Sequence, residues 1–138
     1  MPTQNPVNLN SKDATLLVTT VTAYLALQGV GTVGTDLFNQ VLPEDPVLGT
    51  VVVLTGGISI PSDPTRRPGF QVLHRNPSVE AGLSKSTQIN RLLDNQWNVL
   101  SGFPGRITAT SEAGAYFKDE SGNSLFPLNY VLVSTFQG

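Results

Sequence analysis

Between residues 11 and 28, SKDATLLVTTVTAYLALQ, apolar side chains return at helical spacing. Leu17, Val21, Tyr24 and Leu25 share one face, which Ala14 and Val18 extend. Asn10 or Ser11 can cap this helix, Asp13 suits the positive end of its dipole, and Gly29 reads as the residue that ends it. Threonine and valine are mediocre helix formers, so the segment is expected to depend on packing against a sheet.

The period then shortens to two. GVGTVGTDLFNQVLPEDP reads as a flexible glycine loop leading into an extended edge segment that closes at Pro43 and Pro46. LGTVVVLT, residues 48–55, is a dense β-branched run of the kind found in a central strand. After the proline-punctuated ISIPSDPTRRP, Gly69 to Arg75 form a strand with Phe70, Val72 and His74 on one side and Gln71, Leu73 and Arg75 on the other. Asn76-Pro77-Ser78 starts a second helix, with proline placed in the tolerated first turn. That helix runs to about Asp94 and buries a stripe of Ala81, Lys85, Ile89, Leu92 and Leu93, the lysine by its aliphatic stem. Trp97, in the following turn region, reads as a core plug, with an interface anchor as the alternative. Three strands finish the chain, near Arg106–Ser111, Ala115–Asp119 and Leu125–Phe136, the last two joined by the turn ESGNS. Pro127 lacks a donor and is expected at a strand start or on an edge.

This order predicts an α+β fold: a mostly antiparallel sheet with two principal helices packed on one face. Residues 1–138 are the length of one domain, with 1–10 an extended N-terminal arm around Pro2 and Pro6.

Composition narrows the function. The chain has 8 Lys and Arg against 10 Asp and Glu, a net charge of −2, which argues against a dedicated nucleic-acid binder or an anchor on acidic membranes. No apolar run approaches the roughly 20 residues of a membrane span. The opening MPTQNPVNLN has neither the basic nor the apolar region of a secretory signal, so none is expected. With no cysteine, disulfides and thiolate metal sites are excluded. Charged residues make up only 13 %, about half of ordinary usage, and such uncharged surfaces often face other protein.

Chemistry finds little to work with. His74 is the sole imidazole, so no two-histidine metal site can come from one chain. A triad with Ser62 and Asp63 lacks the G-x-S-x-G elbow and would place its base mid-strand, so His74 reads as a structural or interface histidine. Glu44-Asp45 and Asp119-Glu120 are adjacent acids in loops without calcium-loop spacing. Gly29, Gly31 and Gly34 spell the letters of a dinucleotide fingerprint, but they follow a helix, where that turn must follow a strand and open one. The expectation is no enzyme, no metal and no cofactor.

Taken in order, DLFNQVLPEDP, TVVVLTGG, DPTRRPGFQVLHRN and a helix ending INRLLDN resemble the bacteriophage tail-terminator (minor capsid or tail-completion) family across about residues 10–136. The family's "P-G-x-Q-v-l-x-R" strand is matched by Pro68-Gly69-Phe70-Gln71-Val72-Leu73-His74-Arg75, and its "A…I…LL" helix by Ala81, Ile89, Leu92 and Leu93. The resemblance implies a structural virion subunit of the tail or neck, assembled in the host cytoplasm into a homo-oligomer, a hexameric ring. Such a ring caps the tail tube and joins it to the neck or head connector. Its partners would be the tail tube protein and connector proteins, with viral DNA passing non-specifically through the lumen and no membrane involved. A neck or head-completion protein of the same assembly is the alternative. On that reading Arg66 and Arg67, in a proline-stiffened loop, are candidate contacts to a neighbouring subunit or ring, since guanidinium forks bind carboxylates with defined geometry. Arg75 is a third candidate, alternatively closing its strand against Glu80. The loop residues Gly31, Thr32, Val33 and Gly34 and the N-terminal arm are further candidates for assembly contacts.

Overall fold

The computed structural model describes residues 11–55, 65–66 and 68–135, with side chains described for 15–55 and 68–133. Within them the elements run α1 (Ser11–Leu27), β1 (Leu37–Asn39), β2 (Gly49–Leu54), β3 (Thr65–Arg66), β4 (Gly69–Asn76), α2 (Val79–Leu93), β5 (Gln96–Trp97), β6 (Arg106–Ala109), β7 (Phe117–Lys118) and β8 (Ser124–Thr135). The sheet order is β1-β2-β4-β8-β6-β5, with β3 and β7 also pairing with β8. Every pairing is antiparallel except β1 with β2. This is the α+β fold that the pattern predicts.

Alternation decides which side of the sheet carries the core. In β4, Phe70, Val72 and His74 are buried and the residues between them are half-exposed. Their partners Tyr130, Leu128 and Phe126 in β8 are buried too, as are Thr50 and Val52 in β2. Leu17, Val18, Val21 and Leu25 of α1, and Ile89 and Leu93 of α2, cover this side. Burying each such side chain contributes roughly 1.5–3 kcal/mol. Two hydroxyls tie the layers: Tyr24 donates to the Leu92 carbonyl at 2.8 Å, linking the helices, and Tyr130 donates to Asn90 Oδ1 at 2.8 Å.

In α1, the Thr19, Thr20 and Thr22 hydroxyls bond back to the carbonyls four residues earlier, a pattern that favours bending over stability and leaves packing to hold the helix. The helix ends in a six-to-one bond from Val30 N to Leu25 O and a five-to-two bond from Gly29 N to Ala26 O. Gly29 supplies the left-handed φ of +84° that this motif requires.

Three expectations need correction. Ser78, not proline, opens α2: its side chain accepts from Ala81 N, so Pro77 lies outside the helix. The buried line of α2 is Gly82, Ser86, Ile89 and Leu93, while Ala81 is exposed. The helix sits so close to β8 that a Cβ on Gly82 would fall 2.8 Å from Phe126 Cζ and closer still to Cε1. Pro127 lies in a strand flanked on both sides, yet its missing donor is harmless. Asn129 N points to Ser111 and Leu132 N to Pro68, so by alternation position 127 faces the flank carrying β7 and β6. That flank is open at 127, because β7 ends its pairing at Leu125 and β6 begins at Tyr130.

Candidate functional site

His74 sits on the helix side of β4, 2 % exposed. Its Nδ1 lies 2.9 Å from Thr50 Oγ1 and its Nε2 lies 3.2 Å from Asn76 Nδ2. Asn76 Oδ1 accepts from Ser78 N at 2.9 Å, so its amide NH2 faces the imidazole and donates to Nε2. That bond network assigns the ring proton to Nδ1. Burial, and then the charge of Lys85, lower the imidazole pKa to about 4, against a smaller opposing effect of the Gly49 backbone. The ring is therefore neutral at neutral pH with both nitrogens engaged. It pins β2, β4 and the start of α2 together and presents no free base. Ser62 and Asp63, the other members of the conceivable triad, lie outside the described residues.

Beside this network lies a cavity of about 240 Å³, with Val30, Leu48 and Ala81 as apolar wall and Asp36 and Lys85 at its charged margin. It falls below the roughly 300–1,000 Å³ of small-molecule clefts and fits a single side chain better than a cofactor. The neighbouring 31–37 segment, read from the sequence as a flexible loop, is closed on itself. Asp36 Oδ1 accepts from Thr32 N at 2.7 Å, and the Thr32 carbonyl accepts from the amides of Thr35, Asp36 and Leu37. A Cβ on Gly31 would stand 2.6 Å from that carboxylate oxygen and displace it from Thr32 N, and Gly34 has a φ of +87°. Thr32, Val33 and Gly34 are exposed at the turn and Gly31 is half-buried.

Of the three candidate arginines, the structure describes Arg75 in full and Arg66 by its backbone, and these two lie far apart. Arg75 lies on the side of β4 opposite His74, away from α2 and hence from Glu80. Its Nε donates to the Val47 carbonyl at 2.7 Å, and its Nη2 to the carbonyls of Pro46 at 2.9 Å, Glu44 at 3.3 Å and Pro43. It is a staple for the 43–47 segment. Nearby Asp119 is held below the usual carboxylate range by bonds from Asn123 above all, then Ser121, and by the Arg75 charge. Arg66 pairs through its backbone with Ser134, while Arg75 pairs with Leu125, nine residues along β8 or roughly 30 Å away. The side chain of Arg66, all of Arg67 and the 1–10 arm lie outside the described residues.

Trp97 corrects the sequence reading more sharply: it is 63 % exposed on β5, the last strand of the sheet. Its register partner Arg106 places its guanidinium carbon 5.6 Å from the ring centre. The residues either side of this short strand, Asn95 and Asn98, have φ of +61° and +55°. The NQWN stretch therefore carried the signal for a surface turn rather than a core plug, since asparagine is the non-glycine residue most at home there. Leu83, Tyr116 and Phe117 are also substantially exposed. Among the described residues no three His, Cys, Asp or Glu side chains gather to hold a metal ion, and no helix is long and apolar enough to cross a membrane.

A family model described as bacteriophage tail terminator protein matches residues 24–135. The chain belongs to the bacteriophage tail terminator family. The matched span reaches from the last turn of α1 to the end of β8, and so includes the His74 network, the cavity and both ends of the sheet. Among curated proteins none matches. The tail terminator family is structural rather than enzymatic, and its members are components of the virion tail.

Proposed function

We propose that this tail terminator closes into a ring, six-membered as its resemblance implies, that caps the tail tube and joins it to the neck or head connector. Viral DNA passes through the lumen without being read, which a net charge of −2 suits, since a conduit must not grip phosphates. The ring assembles in the host cytoplasm and stays in the virion. The family match over residues 24–135 carries this reading. The engaged, neutral imidazole and the exposed apolar side chains at the sheet margins accord with a protein that works by fitting against others. Arg66, Arg67, the 31–34 turn and the 1–10 arm are proposed as assembly contacts. Arg75 enters only by shaping the 43–47 segment.

The test is a phage lacking this gene, examined by electron microscopy with and without the gene supplied in trans. Tubes of uncontrolled length that return to uniform length on complementation support the reading. Tails of normal length that fail to join heads assign the chain to the neck instead.

A further inference from the structure

A sheet that ends in open strands invites another chain to pair with its backbone. Both ends of this sheet are filled from within the chain. At the β1 end, Thr50 N donates to the Asp36 carbonyl at 2.9 Å and Gln40 N to the Val52 carbonyl at 2.8 Å, so alternation turns the backbone of Leu37 and Asn39 outward. The 32–36 turn lies along that outer edge. Leu37 N donates to the Thr32 carbonyl at 3.2 Å, and the Leu37 carbonyl accepts from Gly34 N at 2.9 Å. The Asn39 carbonyl accepts from Val41 N at 2.7 Å. Asp36 holds the turn closed by accepting from Thr32 N at 2.7 Å. A second carboxylate closes the other end. In β6, Thr110 N donates to the Asn129 carbonyl, so Thr108 faces β8 with its backbone while Ile107 and Ala109 face away. The Ile107 carbonyl accepts from Asn95 N at 2.8 Å, and Ala109 N donates to Asp94 Oδ1 at 2.9 Å. Beyond it β5 is two residues long, and the left-handed Asn95 and Asn98 break the extended backbone at both of its ends. Between β7 and β6 the flank of β8 offers Pro127, which has no donor, and Asn129, whose amide and carbonyl are taken by Ser111 and Thr110.

We infer that Asp36 and Asp94 guard the two ends of the sheet, keeping a second copy of this chain from adding a strand at either. Copies in an assembly then meet through side chains and not by extending one sheet into the next. Neither aspartate is a core residue. Both are half-buried, and each commits a carboxylate oxygen to a backbone amide beside an end of the sheet. The inference goes beyond the ring reading and does not depend on it, yet it suits a ring. A ring has to close after a set number of copies, whereas a shared sheet whose rotation does not close runs on into a filament.

The test compares Asp36→Ala and Asp94→Ala with Asp36→Asn and Asp94→Asn, whose amide oxygen still accepts. Ile89→Val serves as a core variant that lowers stability without touching an edge. The purified chains are followed by sedimentation velocity over a range of concentrations and by the infrared band of intermolecular sheet. Each alanine variant is expected to gain that band and to self-associate at a concentration roughly tenfold or more below wild type, because removing a guard frees backbone groups to bond a neighbour. The asparagine variants and Ile89→Val should behave as wild type. The inference is overturned if folded alanine variants associate no more than Ile89→Val does, or if the asparagine variants associate as readily as the alanine ones. Where an alanine variant does not fold, wild type decides. The Asn39 amide is exposed and without a partner among the described residues, and it should exchange hydrogen as fast in the assembled protein as in the free chain. Its protection on assembly would mean that a strand has added there, and would overturn the inference. In each of these cases the ring reading stands.

Discussion

Gly82→Ala tests the packing of α2 on the sheet. In an exposed helix interior this change stabilises by about 0.5–1 kcal/mol, because glycine is the poorer helix former. Here the added methyl would stand 2.8 Å from Phe126 Cζ and 3.0 Å from Cδ1, inside the ring's contact distance. Phe126 cannot swing clear. It is fully buried, with the Tyr116 ring 5.3 Å away and the His74 ring 6.3 Å away, and His74 is itself held by Thr50 and Asn76. Overpacking a core costs about 1–3 kcal/mol, and a three-atom overlap with an immobile ring belongs in the upper half of that range. Subtracting the helix gain leaves a net loss of about 1–2 kcal/mol. For a chain of this size that lowers Tm by about 3–7 °C. Calorimetry on Gly82→Ala, Phe126→Leu and the double variant reads the effect. The double variant should be more stable than the sum of the singles predicts, because the smaller side chain admits the methyl. An unchanged or raised Tm for Gly82→Ala, or strict additivity, would refute the close approach.

Three further outcomes follow from the same fold. His74 has a folded pKa of about 4 against 6.5 for the free side chain, so the unfolded chain takes up the extra proton between those values, and stability falls as pH drops through that window. The loss is at most about 3 kcal/mol, read by urea unfolding near pH 7 and pH 4.5; His74→Gln should flatten the slope, and a wild-type profile already flat would contradict the buried neutral imidazole. Arg75→Lys keeps the charge but loses the fork that serves the Val47, Pro46 and Glu44 carbonyls. It should cost about 1–3 kcal/mol and open residues 43–48 to proteolysis; an unaltered denaturation midpoint and cleavage pattern would count against the staple. Tyr130→Phe removes the 2.8 Å bond to Asn90 Oδ1 from a ring 1 % exposed, for a loss of about 1–2 kcal/mol by thermal melting. Burial, and then Asp94, push that hydroxyl's pKa up, so the bond should hold through alkaline pH; a Phe variant as stable as wild type would show the bond contributes nothing.

What could be read along the chain was whatever depends on near neighbours. The 3.6-residue return of Leu17, Val21 and Leu25, the alternation through Gly69–Arg75 and the Gly29 stop are local signals, and the elements stand where they indicate. So does the burial of His74, since its partners in alternation, Phe70 and Val72, were plainly core residues. The order of apolar segments was enough for the family resemblance. Only the tertiary structure decided which candidates could meet. Arg66 and Arg75 are close in sequence, yet an extended strand carries its ends apart by about 3.3 Å per residue, and Arg75 turns to carbonyls nearly thirty residues away in the chain. The stripe of α2 shifted from Ala81 to Gly82 because the facing ring of Phe126 comes from another strand, which no helical period can reveal. Trp97 was decided by position as well: hydrophobicity says that an indole favours leaving water, but the end of a sheet leaves its ring exposed until another surface covers it. Short-range pattern follows from backbone geometry and solvation, whereas the choice of partners follows from which distant segments the sheet lays side by side.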